Sequence, residues 1–581
     1  MTTVHETEWC DDDEATKLPV GGNVAFREWK CKTANGDLLG AGSDINQKFS
    51  RLDYFLMMFP HKHIQTIVML TNRHLATVKK PQTSIGEILK FFGVLILTTK
   101  FEFGSRRMLW SIVAPSKYVP APCFGKTGMV RNRFDDLWRY ILFSDQPAER
   151  PDNMSHEKYR WCLVDDFVKE FNDHREHMFI PSDWLCADES ISRWYGQGGH
   201  WINMGLPMYI AIDRKPENGC EIQNSACGRS GVMLRLKLVK TAEECETEHA
   251  NTADDGLLHG TRVLKALVSP WTNSNRIVCA DSYFASVGCC EELKRIGLRF
   301  IGVVKTETKR FPMQYLSQIE LENRGEFSGL VCRDHSGDPK FLSFVWMDRE
   351  RRYFISSASS LQEGEPYSRK RWRQVSEEDN AEPENVELTI PQPKAAEIYY
   401  AVCGKIDQHN RHRQATLQLE TKLATHDWSK RFNLSILAIT MVDTWLVYKQ
   451  CTHTSEIQKD FYGYLAEELI DNAYDTAGTR QAARRSRGEM SVPRNYTGVV
   501  AENGMLRSGA SIHLTPTKKM RRVKGNITKH RQQRVCRECK KFKTKHVCSV
   551  CHDENLEHWL CHTDTGRSCF ATHVADNHDM L

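Results

Sequence analysis

RIVCADSYFASVGCCEELKRIGLRFIGVV, Arg276 to Val304, decides the fold. It opens on a β-prone run (Arg276 to Ala280), passes through a helical piece (FASVGCCEELKRIG) and closes on a second β-prone run, Phe300 to Val304. Strand, helix and strand in that order are what an α/β domain requires. Three more short runs lie upstream: WLCA (Trp184 to Ala187), MYIAID (Met208 to Asp213) and VMLRLKLV (Val232 to Val239). The α/β pattern therefore begins near Asp183. After Lys305 the text turns to FSGLVC, KFLSFVWM and RRYFISS, with a charged loop from Gln362 to Glu387. This reads as a β-rich module inserted before the last helix of the α/β unit.

Outward from that centre the pattern is helical. HKHIQTIVMLTNRHLA is followed by a helix with Ser84 as N-cap and Glu87 three residues on, a capping-box spacing. Ile85, Ile88, Leu89, Phe92 and Leu95 then recur at helical period. VRNRFDDLWRYILF carries a similar stripe. On the far side, Arg431 to Gln450 and Lys459 to Tyr474 are strongly helical, and the first is either the source of a dimer contact or a helix buried within one subunit, between which the sequence does not decide. Residues 1–50, with the acidic DDDE at Asp11 to Glu14 and little periodicity, are expected to be disordered. A chain of 581 residues exceeds one hydrophobic core, and its longest apolar runs fall far short of a membrane span.

Three acids stand where polar text follows an apolar run: Asp188 ends WLCAD, Asp281 ends RIVCAD, and Asp407 lies in YYAVCGKIDQHNRH. An Asp at the end of a buried strand presents its side chain at the sheet edge, where ligands bind in α/β folds. Three converging carboxylates repel one another and need a hard cation such as Mg²⁺. A capping or surface role is the ordinary reading of any one of them among 74 acidic residues. Glu189 is adjacent, but strand alternation turns it to the opposite face.

The last 46 residues hold six of the 20 cysteines and six of the 23 histidines, spaced C-x2-C-x8-C-x2-C-x9-C-x7-C-x3-H-x4-H. Cys536, Cys539, Cys548, Cys551, Cys561, Cys569, His573 and His578 are eight ligands, enough for two tetrahedral Zn²⁺ ions. If the sites interleave as in the RING type, the first and third pairs share one ion, and the second and fourth pairs the other. His562, next to Cys561, is a possible substitute for Cys569. Ahead of the tail, Thr476 to Arg534 carries 14 Lys and Arg against two Glu and reads as a flexible basic linker. Its densest part, Lys518 to Arg534, suits a phosphate backbone or a nuclear import signal. Lys540, Lys541, Lys543 and Lys545 are expected to reach phosphates, and Arg537 a base edge.

The ordered series VRNRFDDLWRYILF, WLCADESISRW, NMGLPMYIAIDRKPENG, RIVCADSYFAS, FVWMDRERRYFISS, YYAVCGKIDQHNRH and the Trp428 to Gln450 helix, closed by the cysteine-rich tail, resembles the piggyBac family of DNA transposases. The resemblance implies an α/β, ribonuclease H-like catalytic domain with a β-rich insertion, flanked by a split helical dimerisation and DNA-binding domain. The corresponding boundaries are 51–180 and 415–475 for the helical parts, 181–300 and 395–414 for the catalytic parts, 301–394 for the insertion, 476–534 for the linker and 535–581 for the zinc domain. It puts the catalytic DDD motif on Asp188, Asp281 and Asp407 with two Mg²⁺. It further implies hairpin intermediates, TTAA targets, double-stranded DNA at transposon ends and target sites as partner, a homodimer, and a place in the nucleus. Two departures stand out: Asn410 where the family commonly has a further Asp, and a less basic SRWYGQGGHW after Asp188. Two other readings remain: a domesticated DNA-binding protein without transposition, and a zinc-dependent protein-interaction module, which explains the tail alone.

Overall fold

A computed structural model describes residues 2–4, 7–11, 17–18, 27–40, 49–102, 105–194, 210–211, 218–240, 256–305, 308–373, 384–423, 425–474, 504–505, 511–512, 514–516, 520–523, 526–548, 558–562, 567–570 and 572–573. The chain divides into two units: Met1–Gln82 with Phe91–Arg106 and Asp135–Ile470, and Thr83–Lys90 with Arg107–Phe134 and Asp471–Leu581.

The first unit is built on one mixed sheet. Five of its strands lie in the spatial order Met233–Leu238, Asn218–Cys227, Trp184–Arg193, Ile277–Ala280 and Arg299–Val304. The first three pair antiparallel, and the last two run parallel to the Trp184–Arg193 strand. Parallel neighbours need crossovers. The helices His259–Val268 and Val287–Arg295 supply them, the second capped by Ser286, whose Oγ accepts from the Cys289 N–H at 3.1 Å. Every residue of Ile277–Ala280 is buried, as a central parallel strand covered on both faces must be.

The inserted strands do not form a separate module. Arg351–Ser356 pairs antiparallel with Arg299–Val304, and Pro339–Met347 and Phe327–Arg333 follow, so the insertion lengthens the same sheet. The charged loop expected from Gln362 to Glu387 contains a strand, Tyr367–Arg373, paired with Glu384–Ile390.

The disordered start expected for residues 1–50 is corrected. Thr7–Asp11 pairs with the Phe327–Arg333 edge, and Lys30–Lys32 pairs with both Leu38–Gly40 and Phe179–Ile180. Trp9 is fully buried with its Nε1 donating to the Arg310 carbonyl at 3.1 Å, and Trp29 stacks on Phe179 at 5.6 Å between ring centroids. Single aromatic anchors without periodicity hold these short strands, which is why a pattern search passes over them.

The Trp428–Thr452 helix starts on Asp427, whose Oδ1 accepts from the Ser429 and Lys430 N–H groups. It is buried around its circumference from Arg431 to Trp445, so of the two readings open for it, dimer contact or buried helix, it takes the second over that stretch. Among the described residues no helix is long and apolar enough to cross a membrane.

In the second unit, Ser84 does cap its helix, accepting from the Glu87 N–H at 3.1 Å. The Glu87 carboxylate also accepts from Thr83 Oγ1 and the buried Arg133 guanidinium. Much of the expected basic linker, including residues 475–503, lies outside the described residues. Within the rest, Met520–Val523 pairs with Asn526–Arg531, and Leu514–Pro516 pairs with His546–Cys548 of the tail.

Candidate active site and metal-binding tail

Asp188 is not the last residue of its strand. It is the fifth of ten in Trp184–Arg193, because the antiparallel Asn218–Cys227 strand goes on pairing as far as Arg193. What ends there is the parallel partner: Ala187 lies opposite Ala280, and Asp281 follows one residue later. The two carboxylates therefore leave neighbouring strands, about 4.8 Å apart, at one level. Asp281 opens a turn in which its Oδ1 accepts from the Tyr283 N–H at 2.9 Å and its carbonyl accepts from Phe284 and Ala285.

Asp407 sits on the short helix Lys405–Arg411, which follows a break at Cys403–Gly404 and packs on the Asp188 strand. The break separates it from the helix Lys394–Val402. Burial pushes the Cys403 thiol up to about 11, aided by the fields of Asp188 and Asp407. Tyr399 is raised by burial and, among lesser causes, by Asp281. Cys403 thus feels Asp188 and Asp407, and Tyr399 feels Asp281.

Burial pushes the Asp188 carboxyl up to about 9, followed by a hydrogen bond and charge from Glu189 and the charge of Asp281. Alternation had sent Glu189 to the other face. The two carboxyls meet because Asp188 curls over its own backbone, Oδ1 accepting from the Glu189 N–H at 2.9 Å. A carboxyl held protonated by burial and like charge is one that a divalent cation would ionise, so the donor set fits a hard metal.

Behind the site, buried polar bonds fix the frame. Asp443 accepts from Arg175 Nη2 at 2.7 Å and the Met233 N–H at 2.9 Å, and its Oδ1 lies 3.1 Å from His409 Nε2, all three side chains being fully buried. Asn410 Oδ1 accepts from Ser190 Oγ at 3.0 Å and Arg413 Nη2 at 3.3 Å. Asn224, opposite Asp188 in register, donates through Nδ2 to Ser190 Oγ at 2.6 Å. Sequence reasoning passed over Ser190, Asn224 and Arg413. Their signal is only visible once Asp188 and Asp407 are known to face each other. Of SRWYGQGGHW, residues 195–201 lie outside the described residues.

In the tail, Cys536, Cys539, Cys561 and Cys569 bring their sulfurs within 4.8 Å of one another, three of them buried. These are the first and third pairs, and Cys569, not His562, completes the group. A hydrogen bond with Cys569 draws the Cys536 thiol down, and the N–H groups of Cys539, Cys561 and Glu538 act in the same direction, which favours the thiolate a soft metal needs. The set fits one tetrahedral Zn²⁺. Of the other set, Cys548 and His573 are buried, with His573 Nδ1 at 3.4 Å from Glu538 Oε1. Cys551 and His578 lie outside the described residues. Arg537, Lys540, Lys541, Lys543 and Lys545 are all exposed, and Arg537 Nη1 lies 3.1 Å from His558 Nε2.

A family model described as Transposase IS4, of the DDE type, matches residues 50–445, well over half the chain and including all three aspartates. A solved structure, the cryo-EM structure of a piggyBac transposase synaptic complex with hairpin DNA, is similar over 82% of this chain and 90% of that chain. The TM-score is 0.58 at 17% sequence identity, a likeness of fold.

Proposed function

Because the chain belongs to the DDE-type transposases of the Transposase IS4 family, we propose that it is a cut-and-paste enzyme of the piggyBac kind, with Asp188, Asp281 and Asp407 as its catalytic carboxylates. The observation that carries this reading is the register that sets Asp281 level with Asp188, with the Asp407 helix packed on the Asp188 strand. The five-strand order and its antiparallel and parallel pairings support a ribonuclease H-like assignment of this domain.

Two Mg²⁺ ions, when bound, would supply charge stabilisation at the attacking and leaving oxygens of an in-line phosphoryl displacement. The chain's own residues fix where that happens. Asp188 is held by strand pairing with Asn224 on one side, Asp281 by its turn, and Asp407 by the buried His409–Asp443 contact two residues further along its helix. These carboxylates would orient a water for the first cut, in which a P–O bond to water forms as the P–O3′ bond breaks. The freed 3′-hydroxyl, held at the same place, would then attack the opposite strand to give a hairpin end, and after reopening attack a TTAA target. Excision of this kind restores the original sequence. The tail and its lysines would hold transposon ends, two copies of the chain would act together, and the site of action would be the nucleus. The presence of all three aspartates in the chain speaks against a domesticated protein without chemistry.

Cleavage of matched transposon-end DNA in Mg²⁺ tests this. Asp281→Ala should cut no better than a no-enzyme control while retaining the melting temperature of the parent. Unchanged cutting by that variant would remove Asp281 from the active site.

A further inference from the structure

The Lys405–Arg411 helix has seven residues and no side chain capping its first turn. Such a helix does not hold itself in place, so Asp407 depends on tertiary bonds for its position. Asn410 lies three residues after Asp407 and thus on the same side of that helix. From there it reaches the strand that carries Asp188.

The direction of every proton in this contact is determined. Asn224 Nδ2 donates to Ser190 Oγ at 2.6 Å, so the Ser190 hydroxyl spends its own proton on Asn410 Oδ1 at 3.0 Å. Arg413, which can only donate, bonds the same oxygen at 3.3 Å. The atom at this point must be an acceptor, whichever way the amide of Asn410 is drawn. Arg413 enters from the π-helical turn His412–Leu417 and is otherwise engaged by Glu420 Oε1 at 3.0 Å and the Ile191 carbonyl at 2.9 Å. Ser190, Asn224, Arg413 and Glu420 are all buried. The guanidinium is engaged by one carboxylate, and Asn410 Oδ1 supplies a further acceptor that ties it to the Asp407 helix.

We infer that Asn410 is a positioning residue: its Oδ1, committed to Ser190 and Arg413, locks the Asp407 helix to the Asp188 strand and sets the spacing of the metal-binding carboxylates without itself being a ligand. This rests on the reading of the three aspartates as a metal site.

The test uses full-length, zinc-loaded protein and Mn²⁺ as the probe, its binding followed by electron paramagnetic resonance, alongside end-DNA cutting as a function of Mg²⁺. Asn410→Ala should weaken Mn²⁺ binding and raise the Mg²⁺ needed for half-maximal cutting by about 10–100-fold, the range for residues that orient metal ligands. Ser190→Ala should move both readouts the same way, and the double variant should be little worse than either single one. Asn410→Asp keeps the acceptor and should restore the binding that Asn410→Ala loses. Parent-like Mn²⁺ binding by Asn410→Ala overturns the inference, and so does an Asn410→Asp variant as weak as Asn410→Ala. Should Asn410→Ala fail to fold, Ser190→Ala decides: parent-like behaviour there also overturns it. Asp281→Ala separates the two levels. If that variant still binds Mn²⁺ and cuts, the metal-site reading fails; if it loses both while Asn410→Ala loses neither, only the role of Asn410 fails.

Discussion

Two histidines of the first unit, His63 fully buried and His174 half-buried, are lowered by burial and contribute to how the protein answers to acid. His63 is fully buried and stacks on Phe167, ring centroids 4.7 Å apart, and burial lowers it from 6.5 to about 4. His174, with Nε2 2.8 Å from the Met57 carbonyl, is lowered to about 3, by burial first and then by Arg175. Above pH 6.5 both are neutral folded or unfolded and contribute no pH dependence. Below it the unfolded chain takes up protons that the folded chain refuses, so stability falls as pH drops toward those lowered values. The slope is roughly 1.4 kcal/mol per pH unit for each histidine within its window. His63→Phe keeps the stack and removes the proton site. Relative to the parent it should gain about 2 kcal/mol between pH 7 and pH 5 in urea melts. Equal pH dependence of the two proteins would show that His63 is solvated.

At the scale of elements, Thr7–Asp11 covers the Phe327–Arg333 side of the sheet, with Thr2–Val4 paired outside it, and the only large apolar residue of Thr7–Asp11 is Trp9. Trp9→Ala should cost about 3–5 kcal/mol, as removal of a buried indole does. Deleting residues 1–11 should in addition leave Phe327–Arg333 as a bare edge and promote aggregation on heating. A deletion variant with parental melting temperature and light scattering would refute the pairing. The same strand shows where sequence patterns stop being informative. Ile277–Ala280 and Arg299–Val304 were legible because central parallel strands are apolar throughout. Asn218–Cys227 was not, since Gln223, Asn224 and Ser225, on alternating faces, are polar and yet buried, the last two bonded to Ser190 and the Leu267 carbonyl. Missing that strand shortened its neighbour in the sequence reading, and so placed Asp188 at an end when it lies midway. The aspartates themselves were visible as polar residues closing apolar runs. The bonds of the frame behind them join residues over 30 positions apart in the chain, a separation no local pattern carries.

At the scale of the whole molecule, the long Trp428–Thr452 helix is buried within its own unit from Arg431 to Trp445, so the proposed pairing of two copies would draw on other surfaces. The tail is the part whose folding depends least on apolar burial. Its described core is small, built around Cys536, Cys548, Leu560, Cys561, Cys569 and Phe570, and four of these six residues are cysteines. Metal binding would then be its folding energy. Chelation, or Cys561→Ser, should expose the tail to protease while the melting of the three-aspartate body is unchanged. Identical digestion with and without chelator would argue against a structural metal. Binding to end DNA should weaken at the same time, because exposed Lys540, Lys541, Lys543 and Lys545 lose the scaffold that presents them together. The basic run ahead of the tail acts by another route. Lysines and arginines on phosphates release counterions whatever the base sequence, at a slope of about 0.9 in log–log salt dependence per contact. Lys518 to Arg534 holds eight basic residues. Deleting it should flatten the salt slope by several units at constant end preference, whereas unfolding the tail should lower affinity for ends relative to unrelated DNA. A salt titration with both DNA types separates the two effects, and an unchanged slope after the deletion would mean that this run makes no phosphate contact.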